Sequence, residues 1–150
     1  MMNKAAQTAE DVREFNRFYL PYFHLLTQKY LNSDYSVAEA RVLYEIFGCK
    51  KISARDIVKT LGVDKSYLSR MLKKFETGGI IERKESEEDS RRAMIFLTEN
   101  GKTICEKLIA ESNMQVGKEL AGISDQDLDR LSYHLAEIIK ILRGKENGDY

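Results

Sequence analysis

ISARDIVKTLGVDKSYLSRMLKKFETGGIIERKESEEDSRRAMIFLTENG, residues 52–101, carries the punctuation of a complete small fold. Ser53 followed three residues later by Asp56 reads as a helix start, because hydroxyl and carboxylate can each take up an amide that the first turn leaves unpaired. Ile57, Val58 and Leu61 then mark a helix of about two turns, and Gly62 supplies the left-handed stop. Only Val63 separates that stop from Asp64, a second N-cap, so the next helix must leave at a steep angle after a very short turn. It runs to about Thr77 with Leu68, Met71, Leu72 and Phe75 on its inner face, and Gly78-Gly79 ends it. Residues 80–84 and 93–97 read as short strands rich in Ile and Phe, joined by a segment, Glu85 to Arg92, too polar to be core. Helix, turn, helix and projecting hairpin outline a winged helix-turn-helix.

The flanks are helical. Residues 8–31 read as a long first helix, with Thr8 and Asp11 at capping-box spacing and an aromatic face of Phe15, Phe18, Tyr19, Tyr22, Phe23 and Tyr30. Pro21 lacks an amide hydrogen and clashes with the carbonyl four residues back, so the helix is expected to kink or break near Leu20. The aromatic face is core or interface, with a ligand cleft as the alternative. Ser36 with Glu39 and Ser124 with Asp127 repeat the device of Ser53 with Asp56. The first opens a helix carrying Ala40, Leu43, Ile46 and Phe47 that stops at Gly48; Thr98 caps a fifth helix toward Leu120. After Ser124, Leu128, Leu131, Leu135, Ile138 and Leu142 recur at alternating three- and four-residue steps, a seam that one helix cannot bury by itself. A second copy of the chain is its natural partner, and packing against the first helix is the alternative. The expected class is mainly α (α+β): a winged helix-turn-helix with long N- and C-terminal dimerisation helices.

The totals agree with one globular domain: 150 residues, 43% apolar, 32% charged and a single Pro. No apolar run approaches the roughly 20 residues that cross a bilayer, and residues 1–11 lack the layout of a signal peptide, so a cytoplasmic protein without a membrane partner is expected. Cys49 and Cys105 sit in helical patterns without metal-ligand spacing and are expected to be buried, reduced thiols. His24 and His134 are isolated, and no P-loop, dinucleotide fingerprint or nucleophile elbow occurs, so neither an enzyme nor a metal or other cofactor is expected. Net charge is zero, yet residues 50–92 hold twelve Lys/Arg against eight Asp/Glu while the remainder holds twelve against sixteen. A basic middle on an acidic scaffold suits a partner with a phosphate backbone, namely double-stranded DNA.

The outer face of the helix from Lys65 carries Lys65, Ser66, Tyr67, Ser69, Arg70 and Lys73. A helix enters the major groove with such groups near its N-terminus at base edges and basic groups further along at phosphates. Arg70 is the candidate for a guanine contact, Ser66, Tyr67 and Ser69 for bases or phosphates, and Lys65 and Lys73 for phosphates. A plain solvated face is the alternative for this helix in isolation. Arg91 and Arg92 at the hairpin would suit a narrow minor groove, with Asp89 holding the tip through a salt bridge.

With these residues in place, the chain resembles MarR-type transcriptional regulators over nearly its whole length. The matching stretches are Leu43-Tyr44-Glu45-Ile46, Ala54-Arg55-Asp56-Ile57, Leu61-Gly62-Val63, residues 72–81, and Asp89-Ser90-Arg91 followed by Leu97-Thr98-Glu99-Asn100-Gly101. The last set is the most specific. The resemblance implies a MarR-type domain over 8–144, with a DNA-binding lobe at 36–101 and dimerisation helices at 8–32 and 102–143. It implies a homodimer gripping a palindromic operator, with the helix from Asp64 to Thr77 as recognition helix and Arg91 as the wing arginine. It further implies a repressor released by a small-molecule effector. Residues 15–19, 35–46 and 67–70 resemble the amino-terminal half of MarR–GNAT fusion proteins, whose acetyltransferase half is expected to be absent. The alternatives are a winged-helix protein-interaction module and the stand-alone regulatory half of an acetyltransferase system.

Overall fold

The computed structural model describes residues 3–27, 29–30, 33–88 and 92–146. Its contacts divide the chain into two compact units, Met1–Val116 and Gly117–Tyr150.

In the first unit the element order is α1 (Lys4–Tyr22), α2 (Val37–Gly48), β1 (Ile52–Ser53), α3 (Ala54–Leu61), α4 (Lys65–Thr77), β2 (Ile81–Glu85), β3 (Ala93–Leu97) and the greater part of α5 (Glu99–Leu120). The second unit holds the end of α5 and α6 (Asp125–Glu146). Helices dominate, with one antiparallel sheet in the order β1-β3-β2. Register places Arg83, Ile95 and Ile52 in one row across it.

The core of the first unit lies under the helix-turn-helix. Val42, Leu43 and Ile46 of α2, Ile57 of α3 and Leu68, Met71, Leu72 and Phe75 of α4 are buried together with Ile52, Ile81, Ile95, Cys105 and Leu108. Fully burying one such side chain stabilises the fold by about 1.5–3 kcal/mol, so the four apolar residues of α4 hold it by its inner face. The sequence expectation for that face holds residue by residue.

Several expectations are corrected. The first helix begins at Lys4, not Thr8: Asn3 is its N-cap, accepting from the amide of Ala6, while the Thr8 hydroxyl donates back to the Lys4 carbonyl as a residue already inside the helix. It ends at Tyr22, nine residues before the expected 31, so Pro21 breaks it. His24 then takes a left-handed φ of 56° and lies outside any helix. The first strand of the hairpin begins at Ile81 rather than Ile80. Gly79 has φ 69°, its amide donates to Glu76 and that of Ile80 to Phe75, the paired bonds that close a helix at a left-handed glycine. Strand β1 was not expected. Cys49 is exposed at the C-cap of α2, against the expected burial, whereas Cys105 is buried with its thiol 3.8 Å from the Leu43 carbonyl.

No residue of α1 is buried, and Phe18 is 66% exposed although Phe15 and Tyr19 stack at 5.1 Å and Phe18 and Tyr22 at 5.2 Å. In the second unit, Ser124 caps α6, accepting from the amide of Asp127. No residue of α6 is buried, and along its seam Ile138 and Leu142 are 44% and 61% exposed. Among the described residues, no helix is long and apolar enough to cross a membrane.

Candidate nucleic-acid interface

Local chemistry builds the helix-turn-helix. Ser53 accepts from the Asp56 amide, and the Asp56 carboxylate takes the Ser53 amide at 2.9 Å and its hydroxyl at 2.7 Å. Those bonds hold the Asp56 carboxyl below the usual carboxylate range, the Ser53 hydroxyl contributing most, with the charges of Arg92 and Arg55 assisting. At the far end Gly62, at φ 63°, turns the chain left-handed, and its amide closes on Val58. Asp64 then caps α4 by accepting from the Tyr67 amide at 2.9 Å. Two capped ends three residues apart set the angle between α3 and α4.

With Leu68, Met71, Leu72 and Phe75 turned inward, the residues between them must face out. Lys65, Ser66, Tyr67, Ser69, Arg70 and Lys73 are all exposed on one helix, Tyr67 by 40%. The cations of this region divide sharply. Lys74 pairs with Glu39 of α2 at 2.9 Å, Arg83 with Glu76 at 3.3 Å and Lys84 with Glu82 at 3.0 Å. Among the described residues, Lys65, Arg70 and Lys73 pair with no carboxylate. Lys74, Arg83 and Lys84 are each neutralised by a carboxylate of the scaffold, and the cations on the outer face of α4 are not.

The structure brings the α4 residues together as expected. Arg92 it places just before β3, at the tip-side end of the strands where the connecting loop begins, where its carbonyl accepts from the Ser86 amide and its charge reaches Asp56. Asp89 and Arg91, the expected tip salt bridge and wing arginine, lie outside the described residues. Sequence reasoning overlooked Arg55 and Lys59, exposed on α3 and, among the described residues, without a carboxylate partner. The strong amphipathic pattern of α3 was the signal that could have found them.

The hairpin is tied to α4 by the segment Leu97-Thr98-Glu99-Asn100-Gly101. The Thr98 hydroxyl donates to the Gly79 carbonyl at 2.6 Å and accepts from the Gly101 amide at 3.0 Å, and the Thr98 amide donates to Ile80 at 3.0 Å. Gly101 is buried in the first turn of α5, where a Cβ would strike the Ile80 carbonyl oxygen and lie 3.1 Å from a Leu97 methyl. That motif therefore has a physical reason. A hydroxyl ties the turn after α4 to the start of α5, and a hydrogen in place of a side chain lets the two backbones meet.

A second feature lies between α2 and α5. The Tyr44 hydroxyl donates to that of Tyr30 at 3.3 Å, which donates to Ser112 at 2.9 Å. Burial, then the bond to Tyr30, pushes the Tyr44 phenol well above its ordinary range, so it stays protonated. A hollow of about 250 Å³ opens there, lined by Tyr44, Phe47, Ile109, Ser112 and Asn113. Among the described residues, no group of three or more His, Cys, Asp or Glu could hold a metal ion.

A family model described as the MarR family matches residues 33–92. Over 94 residues the chain is 34% identical to the organic hydroperoxide resistance transcriptional regulator of Bacillus subtilis, spanning 63% of each protein, less than two thirds of that relative's length. Among solved structures it is similar to a MarR family protein from Bacillus stearothermophilus, with a TM-score of 0.78 at 16% identity over 95% of this chain and 99% of that one. It is also similar to a mutant MarR from Escherichia coli complexed with operator DNA, with a TM-score of 0.65 at 23% identity over 91% and 96% of the two chains.

Proposed function

We propose that the chain is a MarR-type regulator of transcription, cytoplasmic, homodimeric and sequence-specific, a repressor that binds a palindromic operator and is released by a small molecule. The observation that carries this reading is the row of uncompensated cations and hydroxyls on the outer face of α4, close to Lys74, Arg83 and Lys84, which are each paired with a carboxylate. The phosphate backbone and base edges of a duplex answer both parts of such a face. In this reading α4 lies in the major groove, with Arg70 on a guanine, Lys65 and Lys73 on phosphates, and Ser66, Tyr67 and Ser69 on whichever of the two they reach. Arg91 enters the minor groove and Arg92 meets the backbone beside it, with Asp89 paired at the tip. The domain extends over 8–144, with its DNA-binding lobe at 36–101. The stretches 8–32 and 102–143 supply the dimer contacts, and their exposed apolar faces support that assignment. The effector occupies the Tyr44–Ser112 hollow. The finer likeness, to the regulatory half of MarR–GNAT fusions, belongs to the same reading.

Two α4 helices in successive major grooves place half-sites about one helical turn, roughly 10 bp, apart. The test is selection of bound duplexes from a random pool, followed by binding of variants across a salt series. Arg70→Ala is expected to weaken the selected site by about 1–3 kcal/mol and relax one base position, and Lys73→Ala to weaken all duplexes alike while lowering the salt slope by about one. Unchanged affinity of Arg91→Ala at low and high salt would refute the wing assignment. Absence of any shift of random duplex at micromolar protein and low salt would refute DNA binding and favour a protein-interaction module.

A further inference from the structure

At the loop end of the hairpin the fold gathers two arginines around one carboxylate. Strand β3 pairs with β1 through Ser53 opposite Met94 and with β2 through Glu85 opposite Ala93, and the Ser86 amide donates to the Arg92 carbonyl. Arg92 therefore stands where the strands give way to the connecting loop. Helix α3 starts at Ala54, directly after β1, so the same end of the sheet carries its first turn with Arg55 and Asp56. Asp56 is already committed to its cap. It accepts the Ser53 hydroxyl at 2.7 Å and the Ser53 amide at 2.9 Å, bonds that hold it below the usual carboxylate range, and the charges of Arg92 and Arg55 act on it in the same direction. Both arginines are exposed, and among the described residues neither forms an ion pair, with Asp56 or with Glu85, Glu87 and Glu88 of the hairpin. Two guanidiniums so gathered repel one another, and an anion between them relieves that repulsion. Each offers a flat fork of donors that matches a phosphate.

Position selects the anion. With α4 in a major groove and the hairpin loop in the adjacent minor groove, the sugar-phosphate strand that divides the two grooves must cross the junction of helix-turn-helix and wing, where Arg55 and Arg92 stand. We propose that Arg55 and Arg92 clamp one phosphate of that strand, one guanidinium reaching from α3 and the other from the hairpin. The clamp presupposes the DNA reading given above, and it adds Arg55 to a contact set otherwise confined to α4 and the wing. A phosphate gripped from both elements fixes their approach to the duplex together, so the clamp orients while α4 reads.

The full chain and its Arg55→Gln, Arg92→Gln and double variants are titrated with the duplex recovered from the random pool. They are also titrated with copies of that duplex carrying a single neutral methylphosphonate at successive positions of one half-site. Unchanged midpoints in urea verify that the variants fold. Where a glutamine variant lowers the midpoint, the lysine variant at the same position, which keeps the charge and loses the fork, is read by the same criteria. On the unmodified duplex each single variant is expected to bind about fivefold weaker or more, and to do so on other sequences alike. The double variant should lower the salt slope by about one and not two, because both side chains serve one phosphate. At one methylphosphonate position the wild type should fall to the level of the variants, and all four proteins should bind equally. Arg55→Gln binding as tightly as the wild type overturns the proposal. So do penalties that vanish at different phosphates for the two variants, which would mean two separate contacts. A penalty that persists at every position overturns it too, because the effect would then run through the fold. Duplex binding with any of these outcomes refutes the clamp and leaves the DNA reading standing, whereas no duplex bound at micromolar protein and low salt refutes both.

Discussion

Replacing Gly101 by Ala adds one methyl group where the turn after α4 meets the first turn of α5. The new Cβ would strike the Ile80 carbonyl oxygen, a backbone atom that cannot swing aside as a side chain could. To make room, either α5 or the turn must shift, and the Ile80 oxygen accepts from the Thr98 amide at 3.0 Å and shares, at 3.1 Å, the hydroxyl proton that Thr98 gives to Gly79 at 2.6 Å. Each bond forfeited costs about 1 kcal/mol, and forcing a methyl into a filled site costs about 1–3 kcal/mol. Alanine returns about 1 kcal/mol as a better helix former. The net expectation is destabilisation by about 2–4 kcal/mol. Gly117→Ala is the internal control, because Gly117 lies in the same helix with nothing within 4 Å of a built Cβ. There the helix-propensity gain stands alone, about 0.5–1 kcal/mol of stabilisation. Urea unfolding at one fixed protein concentration measures both, since association would otherwise shift the midpoint. A Gly101→Ala midpoint equal to or above that of the wild type, with Gly117→Ala raised as expected, would refute the close-approach argument.

Ser53→Ala is expected to cost about 1–2 kcal/mol at neutral pH, because it removes a buried cap and one partner of Asp56. Since the folded Asp56 carboxyl titrates below its ordinary range, its contribution is complete above the unfolded value of about 3.9 and disappears as pH falls through the lowered one. The gap between wild type and Ser53→Ala in urea melts should therefore narrow in acid; a constant gap would contradict the cap assignment. A chromogenic disulfide should titrate one thiol, Cys49, in the native chain and a second only on unfolding, because burial pushes the Cys105 thiol to about 11. Two rapidly reacting native thiols would count against that packing. Leu142→Glu places a charge on the exposed seam of α6, and sedimentation should show a monomer at concentrations where the wild type is dimeric. A dimer of unchanged strength would remove α6 from the interface.

Much of this molecule was legible one residue at a time. The Ser53–Asp56 box, the Gly62 stop, the Asp64 cap and the inward face of α4 are settled by neighbours three or four residues away, and the structure returns each of them. Features that failed depend on distant partners or on context. Thr8 has a capping residue's chemistry but lies inside a helix already started by Asn3. Strand β1 is two residues long and exists because β3 passes beside it, with Ile52 opposite Ile95. Cys49 shares a helical pattern with buried neighbours yet falls at the helix end, where the chain turns outward.

For the candidate interface, sequence alone determined which residues stand on the outer face of α4, because helical periodicity leaves them nowhere else to point once Leu68, Met71, Leu72 and Phe75 go in. Which cations on that side of the molecule keep their charge was a tertiary decision. Lys73 and Lys74 are adjacent in the chain, but Lys74 reaches Glu39 thirty-five positions away while Lys73 meets no carboxylate among the described residues. The same holds for Gly101, whose necessity comes from the Ile80 carbonyl that folding brings against it. Backbone hydrogen bonding is short-ranged along the chain and can be read from it; charge pairing and close approach are short-ranged only in space, and folding had to supply the neighbours.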